Sequence, residues 1–230
     1  MNRSMMPFTI LLLSVVLAAG IGCSERSSPA GDSSSAGAPP AAPGYETAEE
    51  LLAWLKTLKT GEDRLAMIDL VHTETTTEKM TKRYTRSIDK ARLEYARAIN
   101  EAFAPEGEEI VPADLGMGAF HEAMQDAATE PVSPVRVRVT CTPEGQEEQV
   151  IILERWGTWQ IHVSTLRNGE DVNPVWYSMQ QGRLGGLLKY HRDVTEQIRA
   201  GAFASAAEAQ AKLDELLAGR MPPIGSVLPD

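Results

Sequence analysis

Val135-Arg136-Val137-Arg138-Val139-Thr140-Cys141-Thr142 decides the fold, because valine and then cysteine alternate strictly with arginine and threonine. A period of two puts the valines and Cys141 on one face and the polar residues on the other, which is the pattern of a half-buried strand. Pro143-Glu144-Gly145 turns the chain, and Gln149 to Glu154 and Trp159 to Leu166 read as a second and a third strand. If Arg155-Trp156-Gly157 is a three-residue loop with Gly157 left-handed, Leu153 faces Trp159 and Ile151 faces Ile161. A two-residue Gly157-Thr158 turn would set Glu154 against Ile161, a poorer match.

Helices lie on both sides of this sheet in sequence. Thr47-Ala48-Glu49-Glu50 is a capping box, and Leu51, Leu52, Leu55 and Leu58 follow at helical spacing up to Gly61. Glu62 to His72 predicts a second short helix with Leu65, Ile68 and Val71 inward. Thr75-Thr76-Thr77-Glu78 caps the longest helix, whose stripe runs through Met80, Tyr84, Ile88, Ala91, Tyr95 and Ile99 to Phe103. Signals weaken from Ala104 to Pro134, with a short helix expected near Phe120 to Ala127. After Pro174 and the glycines 182, 185 and 186, two further helices are expected, ending at Gly201 and Gly219, the second capped by Ser205 and Glu208. The architecture expected is α+β: N-terminal helices, an antiparallel sheet of three or more strands, and a C-terminal helical hairpin. One domain would span 45–220, with an extended tail over 221–230.

The first 44 residues differ in kind. Arg3 precedes an apolar run from Phe8 to Leu17, which passes into Ala18, Ala19, Gly20 and Gly22, the order of a secretory leader. Even taken to Gly22 the run is shorter than the roughly 20 residues of a membrane span. Gly20-Ile21-Gly22-Cys23 resembles the lipobox of bacterial lipoproteins, with Gly20 where that family usually has leucine. The resemblance implies a signal peptide over 1–22, lipid on Cys23, and a membrane as partner through that anchor. An uncleaved anchor and conventional cleavage after Ala18-Ala19-Gly20 stay open as alternatives. From Ser24 to Gly44 the chain is nearly all Ser, Ala, Pro and Gly, too poor in apolar bulk to fold, and reaches on the order of 25 Å as a coil. The expected address is therefore exported, lipid-anchored and periplasm-facing, and Ser24, by resemblance to enteric lipoproteins, favours the outer membrane.

In the folded part, the Thr-Ala-Glu-Glu helix start, the leucine stripe, the Gly61-Glu62-Asp63 turn and the hairpin ending Trp156-Gly157-Thr158-Trp159-Gln160-Ile161-His162-Val163 resemble NTF2-like (cystatin-related) domains. That resemblance implies a ligand pocket between the sheet and a helix. It covers about half the chain. The long helix from Thr77 to Phe103 and the C-terminal helical pair depart from it, and the family has more than the three strands read here.

Chemistry is sparsely marked. The net charge of −10, with no basic run, opposes binding to nucleic acid. Histidines 72, 121, 162 and 191 lie far apart, and the zinc-protease pattern begun at His121-Glu122 fails at Gln125, so no metal is implied. Cys141 on the valine face reads as a small core hydrophobe. No nucleophile elbow is present, and the glycines around Arg183 lack the lysine and hydroxyl of a phosphate loop. They read instead as positions of close chain approach. No cofactor or catalytic set follows.

The best candidate for ligand contact is the polar side of the sheet, Arg136, Arg138, Gln160 and His162 beside Val150 and Ile152, suited to an anionic or amphiphilic ligand. Trp159 reads as core, and Trp156, at the hairpin tip, as an exposed contact for a partner protein of the envelope. The function expected is a tethered, non-catalytic binding or scaffolding module, or alternatively a small-ligand binder of NTF2-like form. For the anchor, Cys23→Ser is expected to abolish lipid labelling and move the protein out of the membrane fraction; processing and partition like the wild type would refute it.

Overall fold

A computed structural model describes residues 44–218. The leader, Cys23, the tether and the 221–230 tail lie outside the described residues. The chain begins with α1 (Ala48–Leu55) and α2 (Gly61–Asp69), then β1 (Val71–His72), the 28-residue α3 (Thr76–Phe103) and α4 (Met117–Gln125). β2 (Ala128–Ser133), β3 (Arg136–Cys141), β4 (Gln149–Trp156) and β5 (Thr158–His162) form an antiparallel meander. A 3-10 helix (Val163–Arg167), α5 (Pro174–Arg199) and α6 (Ala206–Ala218) complete the described chain. The class is α+β.

The sheet has five strands in the order β1-β5-β4-β3-β2, and it is mixed rather than antiparallel throughout. β1 runs parallel to β5, with Val71 beside Ile161 and His72 beside His162. The helix expected over Glu62 to His72 therefore stops at Asp69, and β-branched Val71 goes to the open edge of β5, where it is buried. The other unforeseen strand, β2, is an edge strand exposed along most of its length, so it has no apolar alternation to read. Pro131 is tolerated there because an edge strand has one side without ladder partners.

Thr47, Thr60 and Thr75 each accept from the third backbone N–H of the helix they start, while Glu50, Asp63 and Glu78 reach back. α4 spans Met117–Gln125, a turn earlier than expected. α5 begins at Pro174, which suits a first helical turn, so glycines 182, 185 and 186 lie inside it rather than before it. A Cβ at Gly182 or Gly185 would meet no atom within 4 Å, so these glycines are not sites of close approach.

The hairpin joining β4 to β5 is a three-residue loop displaced by one residue from the expected one. Trp156 faces Thr158 around Gly157 (φ +79°), and Leu153 faces Ile161 instead of Trp159. The displacement moves partners by two positions, so every side chain keeps its face. It pairs two fully buried aliphatics, 0% exposed each.

Two apolar cores result. Val139, Cys141, Ile151, Leu153, Trp159 and Ile161 pack with α1 and α4 through Leu51, Leu55, Phe120 and Met124. Tyr95 and Ile99 of α3 pack with Val194 and Ile198 of α5 and Leu213 of α6. Leu153→Ala is expected to destabilise by about 2–5 kcal/mol. Gly185→Ala, in open space on a helix, is expected to stabilise by about 0.5–1 kcal/mol. Urea unfolding checks both, and a loss on Gly185→Ala would show that the position needs its glycine.

Candidate functional site

The polar sheet face assembles much of what was expected of it, but it satisfies itself. Arg136 and Glu154 are cross-strand neighbours, and Arg136 Nε donates to Glu154 Oε2 at 3.0 Å. His162 Nε2 lies 3.7 Å from the same oxygen. Gln160 Oε1 lies 2.9 Å from His72 Nδ1, a partner the sequence did not suggest. Arg138 stands apart and exposed, between Glu130 and Ile152.

Trp156 is not the exposed contact expected. Its ring stacks on His72, with centroids 4.1 Å apart, and lies nearly parallel to His162 at 5.7 Å. β1 supplies His72 at the place where the indole folds back, so the correction follows from the unforeseen strand. Stacking against two imidazoles covers part of the ring and leaves Trp156 half-buried.

Ser164, His162 and Glu154 fall in a row that superficially resembles a nucleophile with its base and orienting acid. Ser164 N–H donates to His162 Nδ1 at 3.1 Å, which makes His162 the cap of the 3-10 helix, and Ser164 Oγ lies 2.8 Å from the same nitrogen. Ser164 is buried, 3% exposed. Burial lowers the His162 pKa from its ordinary 6.5; Glu154 opposes this and Arg136 adds to it. Cys141 behaves as read from the sequence, with burial pushing its thiol up to about 11.

The hollow part of the molecule lies elsewhere, at the seam between the two cores. β4 runs past the end of β5, and its freed backbone is met by one side chain within the 3-10 helix and one just after it. Val150 N–H donates to Asn168 Oδ1 (2.6 Å) and Ile152 N–H to Thr165 Oγ1 (2.9 Å). Asn168 is left-handed (φ 54°), a conformation asparagine tolerates. Where β5 leaves the sheet, a cleft of about 320 Å³ opens between the start of β4, this turn, and α2 to α5. That volume is at the lower end for small-molecule pockets.

Its apolar wall includes Met67, Ile88, Phe120, Leu184 and Leu187. Leu115, also in the wall, holds φ +56°, a strained conformation for a bulky residue. The polar wall carries Arg64, Arg92 and Arg183 with the buried carboxylate Asp89. Burial lowers the Arg183 pKa from its usual value.

None of these polar residues stood out in the sequence. The available signal was Asp89, beside the apolar stripe of a helix that buries it to 5% exposure. A second hollow, about 600 Å³, lies between the start of α2 and the end of α3, but no large apolar side chain lines it. Its carboxylates include Asp114, which accepts from the N–H groups of Gly116 and Gly118 before and within α4. Among the described residues no three His, Cys, Asp or Glu side chains group as metal ligands, and no helix is long and apolar enough to cross a membrane.

Compared with known protein families, curated proteins and solved structures, the chain matches none.

His162 and His191 both have pKa values lowered by burial. The unfolded chain then takes up protons first as pH falls, so their contribution is complete above about 6.5 and is lost as pH drops toward the folded values. Urea unfolding should show a lower midpoint at pH 5 than at pH 7.5. The double variant His162→Asn/His191→Gln, in which Asn still caps the 3-10 helix, should flatten that difference. An unchanged difference would place the pH dependence elsewhere.

Proposed function

We propose that this chain is an exported, lipid-anchored module of the cell envelope whose folded part holds a small amphiphilic ligand in the cleft between sheet and helices, without catalysing a reaction on it. The observation that carries the reading is the cleft itself: a concave space of pocket size, apolar over much of its wall, with a few polar groups converging at one side. The Thr47 helix start, the leucine stripe, the Gly61-Glu62-Asp63 turn with the second helix, and the hairpin ending at 156–163 carry the resemblance to NTF2-like domains, whose pocket lies between sheet and helix. Five strands instead of three bring the chain nearer to that form, and so does a cavity in that place. A C-terminal helical hairpin from α5 and α6 would be this chain's addition to it.

The anchor reading rests on Cys23 between an apolar leader and a Ser/Ala/Pro/Gly tether. A tether on the order of 25 Å holds a domain clear of lipid head groups and does not cross a periplasm. The module would therefore sample ligands close to the membrane that carries it, the outer membrane being favoured by Ser24. A scaffolding role for an envelope protein partner is the second reading. It loses ground because Trp156, its proposed contact, is occupied by His72 and His162.

Filling the cleft tests the proposal. The uncharged fluorophore 1-aminonaphthalene, about ten heavy atoms in size and so matched to a cleft of about 320 Å³, should gain fluorescence with the wild-type chain. Leu184→Trp should remove most of that gain with the circular dichroism spectrum unchanged. Equal dye binding by wild type and Leu184→Trp would place the site elsewhere, and no binding by the wild type would end the ligand-binding reading.

A further inference from the structure

Asp89 sits in the cleft wall on α3 and is 5% exposed. Its Oδ2 accepts from Arg64 Nε at 3.0 Å, and its Oδ1 lies 3.5 Å from Arg92 Nη1. The first contact ties α2 to α3. The second runs along one helix, where Asp89 and Arg92 are three residues apart, and supports α3 without tying it to another element.

Charge and donors point the same way. One carboxylate cannot neutralise two guanidinium groups, and Arg183 lines the same space, so this wall carries an excess of positive charge in a chain whose formal net charge is −10. Each guanidinium has five N–H donors; Asp89 accepts one hydrogen bond from Arg64 and forms an ion pair with Arg92 at 3.5 Å. The Arg64 and Arg92 side chains are 29% and 37% exposed, so donors remain for a ligand. Ile88, Leu184 and Leu187 line the same space.

The geometry points to one ligand class for this cleft: a short-chain amphiphile whose carboxylate head is held by Arg64 and Arg92 and whose chain is laid along Ile88, Leu184 and Leu187. An anionic head offsets the excess positive charge of this wall, which a neutral head leaves uncompensated. The planar carboxylate matches the guanidinium fork, which lysine could not offer. At about 30 Å³ per water-sized group, the cavity holds roughly ten heavy atoms, the size of octanoate. Asp89 is then a positioning residue, orienting both arginines before the ligand arrives.

This rests on the cleft reading above, and the test separates the two. Titration calorimetry would compare octanoate with 1-octanol, of equal chain length and no charge. It would use the mature chain from residue 23 carrying Cys23→Ser, so that no anchor lipid competes. Octanoate is expected to bind about tenfold or more tightly than octanol, as a charge-assisted pair of bonds would give. Arg92→Gln, which leaves the Arg64–Asp89 pair intact, should bring octanoate down to the level of the alcohol. Octanol binding as well as or better than octanoate, or octanoate binding unchanged by Arg92→Gln, overturns the head-group assignment while leaving the cleft reading standing. Binding of neither ligand overturns both.

Discussion

Two side-chain oxygens stand in for a missing strand, and much of the molecule's shape follows from that substitution. β4 is eight residues long and β5 only five, so the first half of β4 faces an edge that β5 no longer covers. Buried backbone N–H groups must find acceptors. Asn168 and Thr165 provide them, and Asn168 Nδ2 also donates to Glu148 O at 2.8 Å. The chain can then leave the sheet without orphaning β4, and the space it vacates becomes the cleft between the two cores.

The composition of that space is unusual for a structural seam. A seam kept for packing alone would close on aliphatic side chains, since burying charge costs more than it returns unless every partner is satisfied. Here a carboxylate is buried and two guanidinium groups share it. Strain at Leu115 and three glycines in α5, two of them in open space, lie in or near the same region. Sites that must accommodate a ligand draw on the less stable parts of a fold, and these features mark such a part.

The sequence foretold the elements whose burial is one-sided and periodic. The capped helices at Thr47 and Thr75, the valine strand ending at Cys141, and the core placement of Trp159 all follow from a single stripe or a single face. β1 escaped notice because two residues show no period, and β2 because it is exposed on nearly all sides. The hairpin slipped by one loop position because both registers keep the apolar face intact, and only the burial of Leu153 against Ile161 separates them.

The proposed site draws on the pairing expected of the sheet face, arginine beside an apolar strip, at other positions: Arg136 is held by Glu154, whereas Arg64 and Arg92 meet only through Asp89, at sequence separations of 25 and 3. Alternation on a strand reveals which face is polar; it says nothing of whether that face is already paired. Trp156 failed for the same reason, since its partner His72 comes from the unforeseen strand.

An anionic amphiphile held as proposed enters the seam and leaves the polar sheet face untouched. Arginine side-chain Nε–Hε signals in an NMR titration with octanoate report on that directly, because each guanidinium senses only its own surroundings. Arg64 and Arg92 are expected to shift in a saturable manner while Arg136 and Arg138 stay in place. Saturable shifts at Arg136 and Arg138, with Arg64 and Arg92 unmoved, would contradict it.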